Sequence, residues 1–447
     1  MDTSVEPRPS GTPDAPLTLA EPPPRSLGLV ASTAFWWNLG ISLLLPVAAV
    51  YVVLPGRPLW TSLLAIVVGA VIGGALLGLA AAPGAREGVP AMVLLRGLLG
   101  GRASYVPTVA NLAQCVGWAT FEIVVIAESA SRIVGGPQWP YVVLAGLAAT
   151  VMALRPLGVV RLLARYAVWV ALAAVVYLFV QVLRQPLPAR AEVGSATSFW
   201  SAVDVVIALP VSWAPLAADY TRHVRSTRSA GVGAAVGYGA ATVVFFTLGM
   251  LALAAYGAGG LDVVDALLAA PLGGLALLVL VVVELDEAFA NIYSTAVSSQ
   301  NIVARWDRRV LAVGVGSAAT LLALGFDIVA YEPFLFLIGS VFVPLVGVLV
   351  VVYYLVPRGA WDVSETAPAR PLLAVPWVAG FVAYQLTLPT FFAGPGAGWT
   401  TWWSARQGDL GIDPANGMSA SLVSLGLAMV LTALLTLPAA VRARSLR

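Results

Sequence analysis

Long apolar runs recur along the whole sequence and constrain the fold more than any other feature. The chain has 447 residues, of which 60% are hydrophobic and only 10% are charged. A helix needs about 18 to 20 apolar residues to cross a hydrocarbon core about 30 Å thick. Runs near or above this length lie at about 31–53, 60–82, 105–133, 139–154, 160–182, 200–220, 232–256, 271–303, 309–325, 333–356, 374–392 and 418–440. The sequence therefore predicts an all-α integral membrane protein with twelve transmembrane helices.

The chain contains no long polar linker of the kind that joins soluble domains. Residues 1–28 are rich in Pro, Ser, Thr and Asp, a composition that cannot bury an apolar core. We therefore expect a disordered N-terminal tail over 1–28 and one transmembrane transporter domain over 29–447.

The basic residues are unevenly distributed between the two sides of the predicted membrane domain. All 24 are arginines, and 19 of them fall on the segments that share a side with the N-terminus. Because segments rich in Lys and Arg stay in the cytoplasm, both termini are predicted to be cytoplasmic. The Ala-, Val-, Leu- and Gly-rich composition, with no lysine, favours a bacterial protein of the plasma (inner) membrane.

Two predicted spans, the first and the sixth, are interrupted by Gly, Pro and polar residues. The first reads FWWNLGISLLLP and contains Asn38, Gly40, Ser42 and Pro46. The sixth reads IALPVSWAPLAADY and contains Pro210, Ser212, Trp213 and Pro215. Broken segments at matching positions of two halves indicate a transporter site near the bilayer midplane. This spacing predicts a five-plus-five inverted repeat over 29–183 and 199–356, with two additional helices over 372–441.

Three carboxylates lie within four residues of the eighth span. Glu284, Asp286 and Glu287 follow a long apolar run. One charged side chain at the centre of a spanning helix costs roughly 2.5 to 3.5 kcal/mol, so three facing lipid would cost on the order of 8 to 10 kcal/mol. They must therefore face a protein interior or a wet cavity, carry protons, or bind something. This favours a transporter over a membrane anchor.

Polar residues also follow one face of the third and eighth spans. Gln114, Trp118 and Glu122 are four residues apart in span three, and residues at this spacing share a helix face. Span eight has a similar stripe, made of Glu284, Glu287, Asn291, Ser294 or Thr295, and Ser298. With the breaks in spans one and six, the candidate substrate-binding residues include Gln114, Asn38, Gly40, Ser212 and Asn291.

Four segments resemble the nucleobase:cation symporter-1 family, the purine-cytosine permease type of transporter. They read EGVPAMVLLRGLLGGRASY (87–105), NLAQCVGWATFE (111–122), SWAPLAADYTRHVR (212–225) and ANIYSTAVSSQN (290–301). The likeness is to the branch of cytosine and hydroxymethylpyrimidine permeases. It implies a fold similar to LeuT, with a heterocycle held between spans one, three, six and eight.

The resemblance also implies roles for individual residues. Trp118 matches the aromatic residue on which the substrate ring stacks, and Trp213 matches the aromatic residue on its other face. Glu122 matches the polar residue that hydrogen-bonds the ring. Thr295 falls where some members have a substrate-binding Asn, so we expect that contact to differ here.

The chain departs from the sodium-coupled members of the family on span eight. Those members have a pair of hydroxyl side chains where this sequence has Phe289 and Ala290. Neither residue has a side-chain oxygen to bind sodium, so we favour a co-transported proton over Na⁺. Asp286 is the first candidate for the proton site and Glu287 the second, with Glu284 in the same cluster. Alternatively, Glu284 and Glu287 bond backbone groups of the broken spans.

The chemistry of Glu122 favours an amino-bearing pyrimidine as substrate. A carboxylate can accept two parallel hydrogen bonds from a protonated ring nitrogen and the adjacent amino group. Cytosine and other aminopyrimidines present this edge, whereas uracil does not. We expect proton- or cation-coupled import of cytosine or hydroxymethylpyrimidine by alternating access.

Alternative functions are a permease of the same fold for a purine, for allantoin or hydantoin, or for an amino acid. A membrane enzyme is disfavoured because the chain has one His, one Cys and no clustered catalytic residues. We expect a small heterocyclic substrate and a lipid bilayer as partners, no nucleic acid, no cofactor, and function as a monomer.

Overall fold

The computed structural model is mainly helical over the residues that it describes. These are residues 16–19, 21, 23–156, 158, 166, 168–257, 263–325, 331–356, 360–392, 396–413 and 417–445. Within these ranges there are no β-strands, and the β-type pairings are two isolated bridges. The all-α prediction is confirmed.

The helices are numbered here in chain order. They are α1 (Leu29–Leu39), α2 (Leu44–Ala48), α3 (Leu59–Glu87), α4 (Ala91–Leu94), α5 (Arg96–Leu99), α6 (Tyr105–Val134), α7 (Trp139–Leu154), α8 (Val168–Leu183), α9 (Phe199–Trp213), α10 (Ala217–Thr221), α11 (Thr227–Tyr256), α12 (Val263–Leu268), α13 (Gly273–Ser299), α14 (Arg308–Ala323), α15 (Tyr331–Val350), α16 (Ala374–Thr387), α17 (Ala397–Asp409) and α18 (Ala420–Ser445).

Each predicted span coincides with helical residues, although not all of these helices are long. In the described part of the chain, six helices are long and apolar enough to cross a membrane, or seven spans if α1 and the helical segment Leu44–Tyr51 are one bent span. Three more apolar helices have 17 residues or fewer. Helix α13 has 27 residues and carries the three clustered carboxylates. Twelve membrane crossings therefore remain a prediction, as do the boundaries of the two repeats.

The two interrupted spans have different geometries. In span one, the helix axis turns by 57° between α1 and α2. Gly40 ends α1, and a side chain there would collide with Ala241, so this glycine permits close packing. In span six, a 3-10 turn (Ala214–Leu216) joins α9 to α10, and the two form one span. Pro215 lies at the start of this turn, where its missing N–H removes little hydrogen bonding.

The long helices form three groups by their packing. The first group consists of α1, α3, α9 and α11, and the second of α6, α7, α13 and α14. A third group, α15, α16 and α18, packs against the first through α9 and α15. The side chain of Asp204 on α9 strengthens this contact, because it accepts hydrogen bonds from Ser419 Oγ (2.5 Å) and Ala420 N (2.7 Å) at the start of α18.

The described part of the N-terminal segment contacts the ends of several spans. Pro24 O accepts a hydrogen bond from Nδ1 of the buried His223 (3.0 Å), and the backbone of Leu27 bonds His223 and Arg225. Just after α13, Gln300 Nε2 donates a hydrogen bond to the backbone oxygen of Leu17 at 2.6 Å. Thus, residues that the sequence assigns to a disordered tail make specific contacts with the ends of spans six and eight.

Candidate substrate-binding site

A small cavity lies between the first and second helix groups. The space between its lining atoms is about 270 Å³, a value that includes space open to solvent. It is lined by Leu44, Leu45, Trp118, Glu122, Leu209, Ser212, Trp213, Tyr238, Glu287 and Asn291. Residues from both helix groups therefore surround the cavity.

The two predicted stacking residues both line this cavity. Trp118 on α6 is 5% exposed and packs edge-on against Tyr331 and Phe334, with ring centroids 5.9 and 5.3 Å away. Trp213, at the end of α9, donates its indole N–H to Tyr238 Oη at 2.9 Å. The orientation of Trp118 is thus fixed by two rings at steep angles to it, and that of Trp213 by its hydrogen bond to Tyr238.

Glu122, Asn291 and Glu287 form a buried polar network at the cavity. Asn291 Nδ2 donates to Glu122 Oε1 at 2.9 Å and to the backbone oxygen of Glu287 at 3.2 Å. Glu122 Oε2 and Glu287 Oε1 are buried and have no hydrogen-bond partner among the described residues. Each of these two oxygens is therefore available to a proton or to a ligand.

The other two acids of α13 contact the break in span one. Glu284 accepts hydrogen bonds from Ser42 Oγ (2.9 Å) and Leu43 N (2.6 Å), so it bonds backbone at the start of α2. Asn38 Nδ2 donates to Asp286 Oδ2, while Asp286 Oδ1 has no described partner. These contacts join the first helix group to the second at the point where span one bends.

The four buried carboxylates are not neutralised by basic side chains. Glu122, Glu284, Asp286 and Glu287 form no ion pair with any described residue. The described residues also include no group of three or more His, Cys, Asp and Glu placed to hold a metal ion. Burying an unpaired charge is costly, so these acids must carry protons or meet a cation from outside the chain.

The remaining predicted residues lie beside the cavity rather than on its wall. Gln114 Nε2 donates to Asn111 Oδ1 (2.8 Å) and to Ser212 O (3.0 Å), so it ties α6 to the end of α9. Thr295 Oγ1 donates to the backbone of its own helix at Asn291 O. Asn38 and Gly40 lie at the break in span one, where Asn38 contacts Asp286 and Gly40 ends α1. Five of the nine predicted substrate-binding residues thus line the cavity.

Sequence reasoning missed one polar cavity residue, Tyr238. It lies in α11 within GVGAAVGYGAATVV, where small and apolar residues surround it. Thr242 is its one polar neighbour at a spacing of three or four residues, so periodicity gives little signal. Its hydrogen bond to Trp213 depends on the packing of α11 against α9.

Comparisons with solved structures support the LeuT-like fold. Mhp1, a nucleobase-cation-symport-1 family transporter in a closed conformation with bromovinylhydantoin bound, is 17% identical with a TM-score of 0.67, covering 96% of each chain. Inward-facing Mhp1 is 17% identical with a TM-score of 0.70, covering 97% of this chain and 95% of Mhp1. A Na⁺-coupled sialic acid symporter in an outward-open state is 12% identical with a TM-score of 0.61, covering 92% and 90%.

The sequence itself matches one family model. No curated protein sequence matches the chain. However, the model described as "permease for cytosine/purines, uracil, thiamine, allantoin" matches residues 32–371, most of the chain and all of the cavity-lining residues. These matches identify a membrane transporter rather than an enzyme. The chain therefore belongs to the nucleobase:cation symporter-1 family of permeases.

Proposed function

We propose that this permease imports an amino-bearing pyrimidine, such as cytosine or hydroxymethylpyrimidine, together with a proton. The ring occupies the cavity between the two helix groups, and the groups rock about it to expose the cavity to one side of the membrane at a time. The family and the fold support a nucleobase and cation symporter that works by alternating access. The choice of an aminopyrimidine rests on Glu122.

The observation that carries this choice is the free oxygen of Glu122. Glu122 lines the cavity, and its Oε1 accepts a hydrogen bond from Asn291, whereas its Oε2 is buried and has no hydrogen-bond partner among the described residues. A carboxyl group makes two parallel hydrogen bonds with an edge formed by a ring nitrogen and its amino group, provided that one proton lies between oxygen and ring nitrogen. Cytosine presents this edge, and uracil, which has no amino group, does not.

The first test is uptake of radiolabelled cytosine into proteoliposomes, with unlabelled hydroxymethylpyrimidine, uracil, adenine and allantoin as competitors. Removing one charged or hydrogen-bonding partner from a buried network costs about 1.5 to 3 kcal/mol. We expect Glu122→Gln to lower cytosine affinity at least about tenfold for this reason. Competition by aminopyrimidines alone supports the proposal. Unchanged cytosine affinity in Glu122→Gln would refute the role of Glu122.

The proton site in this proposal is Asp286. Its carboxyl group is buried, contacts Asn38 just before the break in span one, and has one oxygen without a described partner. The neighbouring Phe289 and Ala290 have no side-chain oxygen to complete a sodium site. A proton on Asp286 removes the cost of a buried charge and stabilises the contact between α13 and span one.

Asp286→Asn tests the coupling separately from substrate recognition. Asparagine mimics the protonated acid but cannot release a proton. We expect this variant to exchange labelled for unlabelled cytosine across the membrane, yet to lose accumulation driven by a pH gradient. If wild-type uptake followed a sodium gradient at constant pH, Na⁺ rather than H⁺ would be the coupling ion.

One observation favours a second candidate substrate. The structure of Mhp1 that matches this fold contains bromovinylhydantoin, a flat ring with a substituent. A hydantoin-like or allantoin-like cargo would therefore suit a cavity between the same helices. Competition by allantoin but not by aminopyrimidines would favour this candidate.

We also propose that the permease lies in the inner membrane of a bacterium, functions as a monomer, and has both termini in the cytoplasm.

A further inference from the structure

The cavity has few hydrogen-bond donors left for a ligand, because several donors on its wall bond the protein itself. Ser212 Oγ donates to Leu209 O at 2.6 Å. Asn291 Nδ2 donates to Glu122 Oε1 (2.9 Å) and to Glu287 O (3.2 Å). A side-chain amide has two such hydrogens, so both are used. Apart from the two acids, the lining side chains that remain as donors are Trp118, Trp213 and Tyr238.

The two indole donors cannot serve the edge of a stacked ligand. Trp213 Nε1 already donates to Tyr238 Oη at 2.9 Å. Trp118 Nε1 is buried and has no hydrogen-bond partner among the described residues. However, an indole N–H lies in the plane of its ring, so a ligand stacked on the face of Trp118 is not in line with that hydrogen. The hydroxyl of Tyr238 is therefore the neutral donor that is left.

The Tyr238 hydroxyl has a hydrogen that no described residue accepts. Tyr238 is 1% exposed, and its oxygen accepts from Trp213. The free oxygens of Glu122 and Glu287 do not take its hydrogen, since neither has a hydrogen-bond partner among the described residues. A buried donor without an acceptor is costly, so a ligand oxygen at this place would be favourable.

We propose that Tyr238 donates a hydrogen bond to a carbonyl group of the cargo and so makes this permease selective for cytosine over hydroxymethylpyrimidine. This inference rests on the proposed function, because it assumes that Glu122 binds the ring nitrogen and the amino group. In cytosine, the carbon on the other side of that nitrogen carries a carbonyl oxygen. In hydroxymethylpyrimidine, the same carbon carries a methyl group. Both compounds satisfy Glu122, but only cytosine offers Tyr238 an acceptor.

Tyr238 and Glu122 lie on different helix groups, so a cargo that bonds both also joins the groups. Tyr238 is on α11 in the first group, and Glu122 is on α6 in the second. A methyl group beside Tyr238 leaves the hydroxyl without an acceptor, and this penalty weakens binding about tenfold. Tyr238 is therefore a specificity-determining residue that acts on the carbonyl side of the ring, while Glu122 acts on the amino side.

The test is a competition assay in proteoliposomes that varies two positions of the ring independently. Uptake of radiolabelled cytosine is competed by unlabelled cytosine, 5-hydroxymethylcytosine, 4-amino-2-methylpyrimidine and hydroxymethylpyrimidine. The first two carry the carbonyl group, and the last two carry a methyl group in its place. Each pair has one member with the hydroxymethyl substituent and one without it. We expect wild type to bind each carbonyl compound about tenfold more tightly than its methyl counterpart.

Tyr238→Phe removes the hydroxyl and keeps the ring. We expect each carbonyl compound to bind this variant within about twofold of its methyl counterpart, because the carbonyl compounds lose their donor. If Tyr238 only oriented Trp213, the variant would weaken all four compounds alike and leave the ratios unchanged. Tyr384→Phe is the matched control, since Tyr384 is also buried and its hydroxyl has no hydrogen-bond partner among the described residues. It should keep the wild-type ratios.

Two results would overturn the inference while the proposed function stands. One is equal binding of the carbonyl and methyl compounds to wild type, a comparison that does not depend on the folding of a variant. The other is a wild-type ratio in Tyr238→Phe. The proposed function fails, and the inference with it, if none of the four compounds competes or if Glu122→Gln binds cytosine as wild type does.

Discussion

The carboxylates of α13 differ in what they contact, although they are close together in sequence. Glu284 bonds the hydroxyl and backbone of span one, Asp286 contacts Asn38, and Glu287 lines the cavity. The contacts of Glu284 are with the residues just before and at the start of α2, whereas Asp286 and Glu287 each keep one oxygen without a described hydrogen-bond partner, available to a proton or a ligand.

His223 provides a residue-level prediction about pH, because it lies just beyond the last residue of span six. Burial, reinforced by the positive charges of Arg222 and Arg308, lowers the pKa of His223 from 6.5 to about 3. Between these values the unfolded chain binds a proton that the folded chain does not, so the folded state loses stability as pH falls below about 6.5.

We expect the apparent melting temperature of wild type in detergent to fall more between pH 7 and pH 5 than that of His223→Gln. Above pH 7.5 the two profiles should run parallel, because His223 is neutral in both states. Scans at one heating rate are needed, since unfolding of such proteins is commonly irreversible. Equal slopes between pH 7 and pH 5 would contradict the assignment.

The sequence predicts which residues form the site better than it predicts what those residues contact. The spacing of four residues on span three correctly places Trp118 and Glu122 on one face, and both reach the cavity. The partner of Glu284 is not predictable from spacing, because Ser42 is 242 residues away and meets it only through the bend in span one. Tyr238 is missed for the same physical reason, since its contact depends on how two helices pack.

The elements that surround the site owe their close approach to glycine. Helix α3 carries Gly69, Gly73, Gly74 and Gly78, and each faces backbone or short side chains of α9 or α11. Small residues at such spacing let membrane helices pack with their backbones close together. These glycines therefore allow α3 to pack closely against both α9 and α11.

Replacing Gly78 should disrupt this packing. A Cβ atom there would lie 2.6 Å from Gly231 O and 2.9 Å from Ala235 Cβ, both on α11. Overpacking of this kind costs about 1 to 3 kcal/mol. We expect Gly78→Val to lower the melting temperature and the uptake rate. Gly314→Val on α14 is the matched control, because a Cβ there meets no atom within 4 Å. Equal stability of both variants would argue against close packing of α3 on α11.

The sequence predicts the existence of the elements well but not the shape of the sixth span. Gly40 and the polar residues around it correctly indicate a bend in span one. The two prolines of span six indicate a similar break, yet the structure has only a 3-10 turn there. A proline has no backbone N–H, so one carbonyl of the helix loses its hydrogen-bond donor. How strongly the helix is disrupted depends on which carbonyl this is, and therefore on the residue at which the 3-10 turn begins.

At the scale of the molecule, the site lies where two helix groups meet. Trp118, Glu122, Glu287 and Asn291 belong to the second group, while Ser212, Trp213 and Tyr238 belong to the first. A ligand that contacts both groups favours the conformation in which they approach each other, by as much as its affinities for the two conformations differ. This is the physical basis of alternating access in the proposed mechanism.

The distribution of arginine predicts how the whole molecule is oriented in the membrane, and this prediction can be tested directly. We expect Ala189→Cys to react with a membrane-impermeant maleimide in intact cells, and Arg228→Cys to react only after permeabilisation. Both side chains are exposed, and the native Cys115 is buried and should not react. The opposite labelling pattern would invert the predicted topology.

The unpaired oxygens of Glu122 and Glu287 have a consequence for pharmacology. A flat compound with a permanent positive charge, such as an aromatic amidinium, brings its own hydrogens to both oxygens and needs no proton on either acid. It would neutralise Glu122 and Glu287, which a neutral cargo leaves dependent on protons. Because such a compound binds without a co-transported proton, we expect fixed cations to block this permease better than close copies of its neutral cargo.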